Sequence, residues 1–171
     1  DGMQMRAAGA LVEEMLASAG AGIASMPSSE IYSALQTNIL DAAVNSNSSF
    51  ASYKLYEQVD SFTTSLQNTF WFMFEPLVIS TSTWEKLTPE QQQIFEEVAE
   101  ELQPWAYEAS MEDDENVAKL FEEQGVNVVD MSDEDYEKWV ELAKPVWEKF
   151  ANEVEGGQEL LDLATKIHEE N

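Results

Sequence analysis

Gly2-Met3-Gln4-Met5-Arg6-Ala7-Ala8-Gly9 alternates weakly and ends in glycine, and Leu11, Val12, Met15, Leu16 and Ala19 follow at helical spacing. The alternation predicts a short strand, and the spacing a short amphipathic helix closed by Gly20 or Gly22. A second strand is predicted over 23–26. Pro27-Ser28-Ser29-Glu30 then has the chemistry of a helix start, with a hydroxyl for free N–H groups and an acid in the first turn. Ile31, Leu35 and Ile39, with Tyr32 and Leu40, supply the stripe that this helix buries. Strand, helix, strand, helix in that order predicts an α/β fold on a parallel sheet.

Outward from this unit, the small polar residues Asn45 to Ser49 predict a loop of the kind that binds rather than packs. A helix is predicted over 51–58, and extended chain over 62–66 and 70–80, the latter interrupted by Pro76. The second half is helical. Thr88-Pro89-Glu90-Gln91 is a strong start, with Thr as N-cap, Pro at the first helical position and Gln closing a capping box. Ile94, Phe95, Val98, Ala99 and Leu102 form its apolar face, and Pro104 is expected to bend or break it. Helix resumes to Glu123, and Gln124-Gly125 caps it. Val126 to Val129 is β-prone. Ser132 opens another helix carrying Trp139, Ala143, Val146, Trp147 and Phe150 as packing surface, and Gly156-Gly157 separates it from a last short helix.

The chain has 171 residues, enough for one sizeable core, and 44% of them are hydrophobic, too many for an acidic disordered tail. Thirty-four acids against eight bases leave a formal charge of −26, with no basic cluster. Such a surface repels nucleic acid and anionic lipid, which excludes nucleic-acid binding. No apolar run is long enough to span a bilayer, so direct membrane insertion is not expected. There is no cysteine, which removes disulfides, thiolate zinc sites and thiol chemistry.

Catalytic constellations are scarce. His168 is the only histidine, and no metalloprotease, phosphate-loop or dinucleotide motif is present. The carboxylates are too numerous for any pair to be specific, and Glu112-Asp113-Asp114-Glu115 lacks the glycine turn of a calcium loop. Arg6 is the only arginine. At a strand end followed by small residues, its guanidinium suits a carboxylate held through two parallel hydrogen bonds, or a structural ion pair with one of the many acids. Asn45 and Asn47 suit either a polar ligand or a turn. In Phe70-Trp71-Phe72-Met73-Phe74-Glu75-Pro76, alternate rings pack the core or line a cleft, and Glu75 is either a pocket acceptor or a wet edge position.

The blocks Met5-Arg6-Ala7-Ala8-Gly9, Met26-Pro27-Ser28-Ser29-Glu30-Ile31-Tyr32-Ser33-Ala34-Leu35-Gln36-Thr37, Leu40-Asp41, Leu77-Val78-Ile79-Ser80, Trp84-Glu85-Lys86-Leu87-Thr88-Pro89-Glu90-Gln91 and Gly125-Val126-Asn127-Val128-Val129 are collinear with a known family. The chain resembles the solute-binding proteins of tripartite ATP-independent periplasmic (TRAP) transporters, of the dicarboxylate-binding type. The resemblance covers nearly the whole chain and corresponds to the C-terminal half of the family.

That resemblance implies a periplasmic-binding-protein-like fold of type II. Residues 1–75 would be the second α/β ligand-binding domain. Residues 76–171 would be a connecting strand and C-terminal helices that brace both domains, the N-terminal domain lying outside this stretch. The implied function is capture of a small organic carboxylate in the periplasm for a TRAP membrane permease, with no catalytic step, cofactor or metal. Arg6 falls where the family keeps its carboxylate-clamping arginine, and Asn45 where a polar ligand contact follows. Ser28 stands where some relatives place an aromatic. Asn68, Trp71 and Glu75 lie on the returning segment that carries selectivity in the family. Ala42 departs from the family's glycine after Asp41. The contrasting expectation is an acidic helical module that binds a protein through Trp139 and Trp147 without a small ligand.

Overall fold

The computed structural model describes residues 2–73 and 76–170, with side chains through Lys166. Three short strands form a parallel sheet in the order β2-β1-β3: β1 (Gln4–Arg6) in the centre, β2 (Gly22–Ile23) on one side and β3 (Ala42–Ala43) on the other. Gln4 pairs with Gly22, and Arg6 with Ala43. Helix α1 (Ala10–Ser18) connects β1 to β2; helix α2 (Ile31–Gln36) lies on the connection from β2 to β3.

Side-chain alternation along these strands loads both faces. Met5, Ala7, Ile23 and Val44 pack with Leu16 and Val12 of α1. Ala24 and Ala43 pack with Ile31, Ala34 and Leu35 of α2, together with Leu40 and Leu55. A sheet covered on both faces is the doubly wound arrangement. Because the chain leaves β1 toward β2 on one side and returns to β3 on the other, the order reverses between β1 and β3.

The α2 stripe is shorter than its spacing predicts. The helix stops at Gln36 because Asn38 takes the left-handed region at φ 56°. The Ile39 amide donates to the Ala34 carbonyl (2.9 Å) and that of Asn38 to Leu35 (3.0 Å), a Schellman ending with asparagine in glycine's place. Leu40 is thereby buried off the helix, while Ile39 is 60% exposed. The predicted loop at 45–49 also differs: Ser46, in extended conformation, leads into helix α3 (Asn47–Ser52). The helix expected over 51–58 is instead the end of α3 and a 3-10 turn at Leu55–Glu57.

Strand β4 (Ser61–Thr63) pairs in parallel with β5 (Asn127–Val129), so the second half of the chain completes a sheet begun in the first. Between them run a single-turn helix α4 (Thr81–Trp84) and the long helix α5 (Pro89–Glu123). The capping box at Thr88 and Gln91 forms as expected. Pro104 does not break α5, which continues through it. One missing amide removes one bond from a 35-residue ladder, and the turns on either side keep theirs. The apolar face over 94–102 is exposed rather than buried; burial on α5 is confined to its last turns, at Val117, Ala118 and Phe121. There Phe121 stacks on Phe62 at 4.4 Å and meets Phe50 and Tyr56 edge-on.

Helix α6 (Asp133–Glu153) lays Ala143, Val146, Trp139 and Trp147 against Met15 and Val12 of α1. Lys149 of α6 also pairs with Glu14 of α1. Helix α7 (Gly157–Glu170) turns back on α6. The described residues of 70–80 are in no sheet ladder.

Candidate functional site at the switch point

In open α/β sheets the crevice outside the carboxyl ends of the strands, where strand order reverses, is the place a ligand reaches without displacing core. Arg6 is the last residue of β1. It alternates with Met5 and Ala7, so its side chain leaves the sheet on the α2 side. It is only 8% exposed. Its Nε donates to the carbonyl of Met26, just beyond β2 (3.1 Å). Its Nη1 donates to the carbonyl of Val44, just beyond β3 (3.0 Å), and its Nη2 to Ser28 Oγ (3.2 Å). One guanidinium therefore ties together the segments leaving all three strands.

Burial lowers the Arg6 pKa and the nearby Glu13 carboxylate opposes that shift; a guanidinium stays charged throughout. Among the described residues Arg6 makes no ion pair within 4 Å, the salt bridges being those of lysines. Of its five N–H donors, three are used. The two that remain are one on each terminal nitrogen, donors of the kind that carboxylate oxygens accept. Ser28 does not cap a helix as its sequence context predicts: neither the turn at Ser28–Glu30 nor α2 has a side-chain cap, and the hydroxyl serves Arg6 instead.

Asn45 follows Val44 and is 7% exposed. Its Oδ1 accepts from the Ser46 amide (3.0 Å), which fixes the orientation of the side-chain amide. Its Nδ2 is buried without a partner. A buried donor left unpaired costs about 1–3 kcal/mol, so such groups in native folds ordinarily mark a function or a missing partner. Asn45 lines a cavity of about 1130 Å³ between the β1–β3 edge, α3, the segment after β4 and the middle of α5. The lining reaches Val44 and Asn45 and stops short of Arg6 and Ser28, which adjoin it through the Val44 carbonyl.

Trp71 also lines this cavity, half-buried against Ala7, Leu16 and Val44. Thr69 brackets its backbone, donating to the Trp71 carbonyl (2.6 Å) and accepting from its amide (3.3 Å). Asn68 is placed differently. Its amide donates to the Met131 carbonyl (3.1 Å) and the Asp133 carboxylate (2.8 Å), tying the loop to the start of α6, and it is outside the cavity lining. Glu75 lies outside the described residues, as does the side chain of His168. Among the described residues there is no group of three or more histidines and carboxylates placed to hold a metal ion.

Sequence reasoning missed a polar knot on the opposite wall. Asn47 Nδ2 donates to Asp114 Oδ1 (2.7 Å) and Ser65 Oγ (2.8 Å), and Ser65 donates to Asp114 Oδ2 (3.1 Å). Nothing local connects Asn47 with a carboxylate 67 residues later.

The family described as "Bacterial extracellular solute-binding protein, family 7" matches residues 1–153. The chain belongs to that family. A solute-binding protein of Albidiferax ferrireducens is 39% identical over 95% of the chain. The C4-dicarboxylate-binding periplasmic protein DctP of Shewanella loihica is 26% identical over 84% of it. A TRAP periplasmic solute-binding protein of Rhodoferax ferrireducens with bound malonate superposes with a TM-score of 0.91 over 100% of the chain, at 38% identity. One from a Bradyrhizobium species, in complex with galacturonate, gives 0.75 over 95% at 27% identity. The chain spans 48% and 41% of the lengths of those two sequence relatives, and 54% and 52% of the two structures. As a family 7 chain it carries one α/β unit of a type II binding protein. Those relatives are chains about twice this length.

Proposed function

We propose that this chain is the ligand-holding half of the extracytoplasmic solute-binding component of a TRAP transporter, capturing a small organic carboxylate for secondary uptake. The observation that carries the reading is Arg6: a buried cation at the switch point, immobilised by three hydrogen bonds, with one donor left on each terminal nitrogen. An immobilised guanidinium loses little side-chain freedom on binding, which favours affinity.

The mechanism has no bond-making step. The carboxylate enters an open cleft and occupies the Arg6 fork, and Asn45 and Trp71 contact the rest of the ligand. Bound ligand shifts the population toward a closed form, which a membrane permease then accepts. In this reading residues 1–75 carry the ligand, and 76–171 brace it against a second domain. The exposed apolar side chains of Leu77, Val78, Ile94, Val98 and Leu102 support that bracing role. The protein-binding alternative loses its surface, because Trp139 and Trp147 pack on α1 and Trp139 stacks on Phe70 at 4.5 Å.

The test is calorimetric titration of the complete protein with a panel of small carboxylates. Arg6→Lys is expected to weaken the best ligand by ~100-fold or more, since an ammonium cannot reproduce the two parallel bonds. Unchanged affinity in a folded Arg6→Lys protein overturns the reading.

A further inference from the structure

Trp71 lines the cavity, yet the described residues from 70 to 80 join no sheet ladder that could hold it there. Phe72 and Met73 beyond it are exposed. The chain is pinned just before it instead. Thr64, buried at the end of β4, donates its amide to the Val129 carbonyl (2.9 Å) and its hydroxyl to the Asp130 carboxylate. Four residues on, Asn68 spends both hydrogens of its side-chain amide, one on the Met131 carbonyl (3.1 Å) and one on the Asp133 carboxylate (2.8 Å). That fixes its orientation, because the flipped amide would set an oxygen against two acceptors. Thr69 then brackets the Trp71 backbone through one hydroxyl, and Phe70 stacks on Trp139. Asp133 opens α6 and Trp139 lies on it, so both anchors of the segment are on the helix that packs against α1.

We propose that Asn68 is a positioning residue of the binding site, which touches no ligand and sets affinity through Trp71. The proposal rests on the reading of Arg6 as the carboxylate clamp and of Trp71 as a ligand contact, and deepens it. A ring contributes most to binding when it is already in place, since ordering it on contact costs part of the gain. The bonds from Asn68 to the start of α6 order it beforehand. Only Thr69, which grips the Trp71 backbone from both sides, and Phe70 separate the two, so a shift at 68 carries to 71. Asparagine suits the position by its donor count. Leucine has a similar shape and no donors, and aspartate would set a second carboxylate beside Asp133 and leave the Met131 carbonyl without its donor. With both N–H groups committed and its side chain outside the cavity lining, Asn68 has no donor left for a ligand.

The experiment is a double-mutant cycle in the complete protein, read by calorimetric titration with whichever of malonate, glycerate, galacturonate and benzoate binds most tightly. Trp71→Ala is expected to weaken binding by ~10-fold, and Asn68→Leu by ~5-fold. In the Trp71→Ala background, Asn68→Leu is expected to change affinity by less than ~2-fold, because the ring it positions is gone. A general loss of folded protein, or a direct contact between Asn68 and the ligand, would instead lower affinity equally in both backgrounds. Should Asn68→Leu fail to fold, Asp133→Ala removes one of the two bonds from the other side. Its loss is expected to be ~3-fold and likewise to vanish with Trp71→Ala. Equal losses in the two backgrounds, a folded Asn68→Leu protein that binds like the wild type, or a Trp71→Ala protein with unchanged affinity overturns the proposal and leaves the Arg6 clamp standing. If none of the four acids binds, the Arg6 reading falls and the proposal with it.

Discussion

Ile31 and Leu35 on α2, and Ile94, Val98 and Leu102 on α5, are set at the same four-residue spacing. The first pair is buried to 0% and 7% exposure, whereas the α5 residues are exposed at 58%, 44% and 49%. Periodicity states that a helix has a face to bury; what lies opposite decides whether it is buried. For α2 the opposite side is filled by Leu40, Leu55, Ala43 of β3 and Ala24 just beyond β2, all within the same stretch of chain. For α5 the described residues bury only the last turns, where Val117 and Phe121 close over Phe62 and Val126.

The sharpest way to break this contrast is to truncate one side chain from each end of α5. Phe121→Ala is expected to cost about 3–5 kcal/mol in urea unfolding, because it empties a site shared by four aromatic rings. Leu102→Ala in the same 171-residue chain should cost under ~0.5 kcal/mol, as a surface change does. Equal costs would abolish the distinction. Repeating Leu102→Ala in the complete protein sharpens it, since a loss of ~2 kcal/mol there is expected if the outer face packs against a second domain.

A smaller effect belongs to the turn that ends α2. Asn38→Ala, which forces an ordinary side chain into the left-handed region, is expected to lower stability by about 1 kcal/mol, and Asn38→Gly to preserve it. If alanine proves neutral, the α2 stripe does not depend on that turn to bury Leu40. The smallest effect is pH-linked. The hydrogen bond from Lys149 to Glu14 raises the lysine's pKa in the fold, against a partial opposing effect of desolvation. A raised folded pKa means the bridge's contribution is complete below the ordinary lysine value and is lost as pH rises through the folded value. Melting temperatures of the wild type and Lys149→Gln should therefore differ slightly at neutral pH and converge in strong alkali. A difference that grows with alkalinity contradicts the bridge.

Much of the fold was legible. The strand–helix order of residues 4–36, the Thr88–Gln91 capping box and the Gln124-Gly125 stop all follow from side-chain chemistry within a few residues. The candidate site was legible in part: Arg6 stands out as the only arginine, set at a strand end beside small residues. Its three hydrogen-bond partners did not stand out, because two of them are backbone carbonyls, which carry no residue signature. Ser28 looked like a helix cap because hydroxyls at such positions usually are, yet a buried guanidinium outcompetes a backbone amide for the same oxygen.

What the sequence determined by itself is therefore local and chemical: the element types, the helix stops, the acid-rich surface and the single guanidinium. Tertiary structure alone decided that β1 lies between β2 and β3, which brings the ends of all three strands to Arg6. It also decided that Asn45 faces a cavity with a donor unspent, and that Asn47 finds Asp114 across 67 residues. The physical reason is range. Capping, turn and periodicity preferences act over a few residues, whereas strand order and the pairing of buried polar groups are settled only when distant segments compete for the same space.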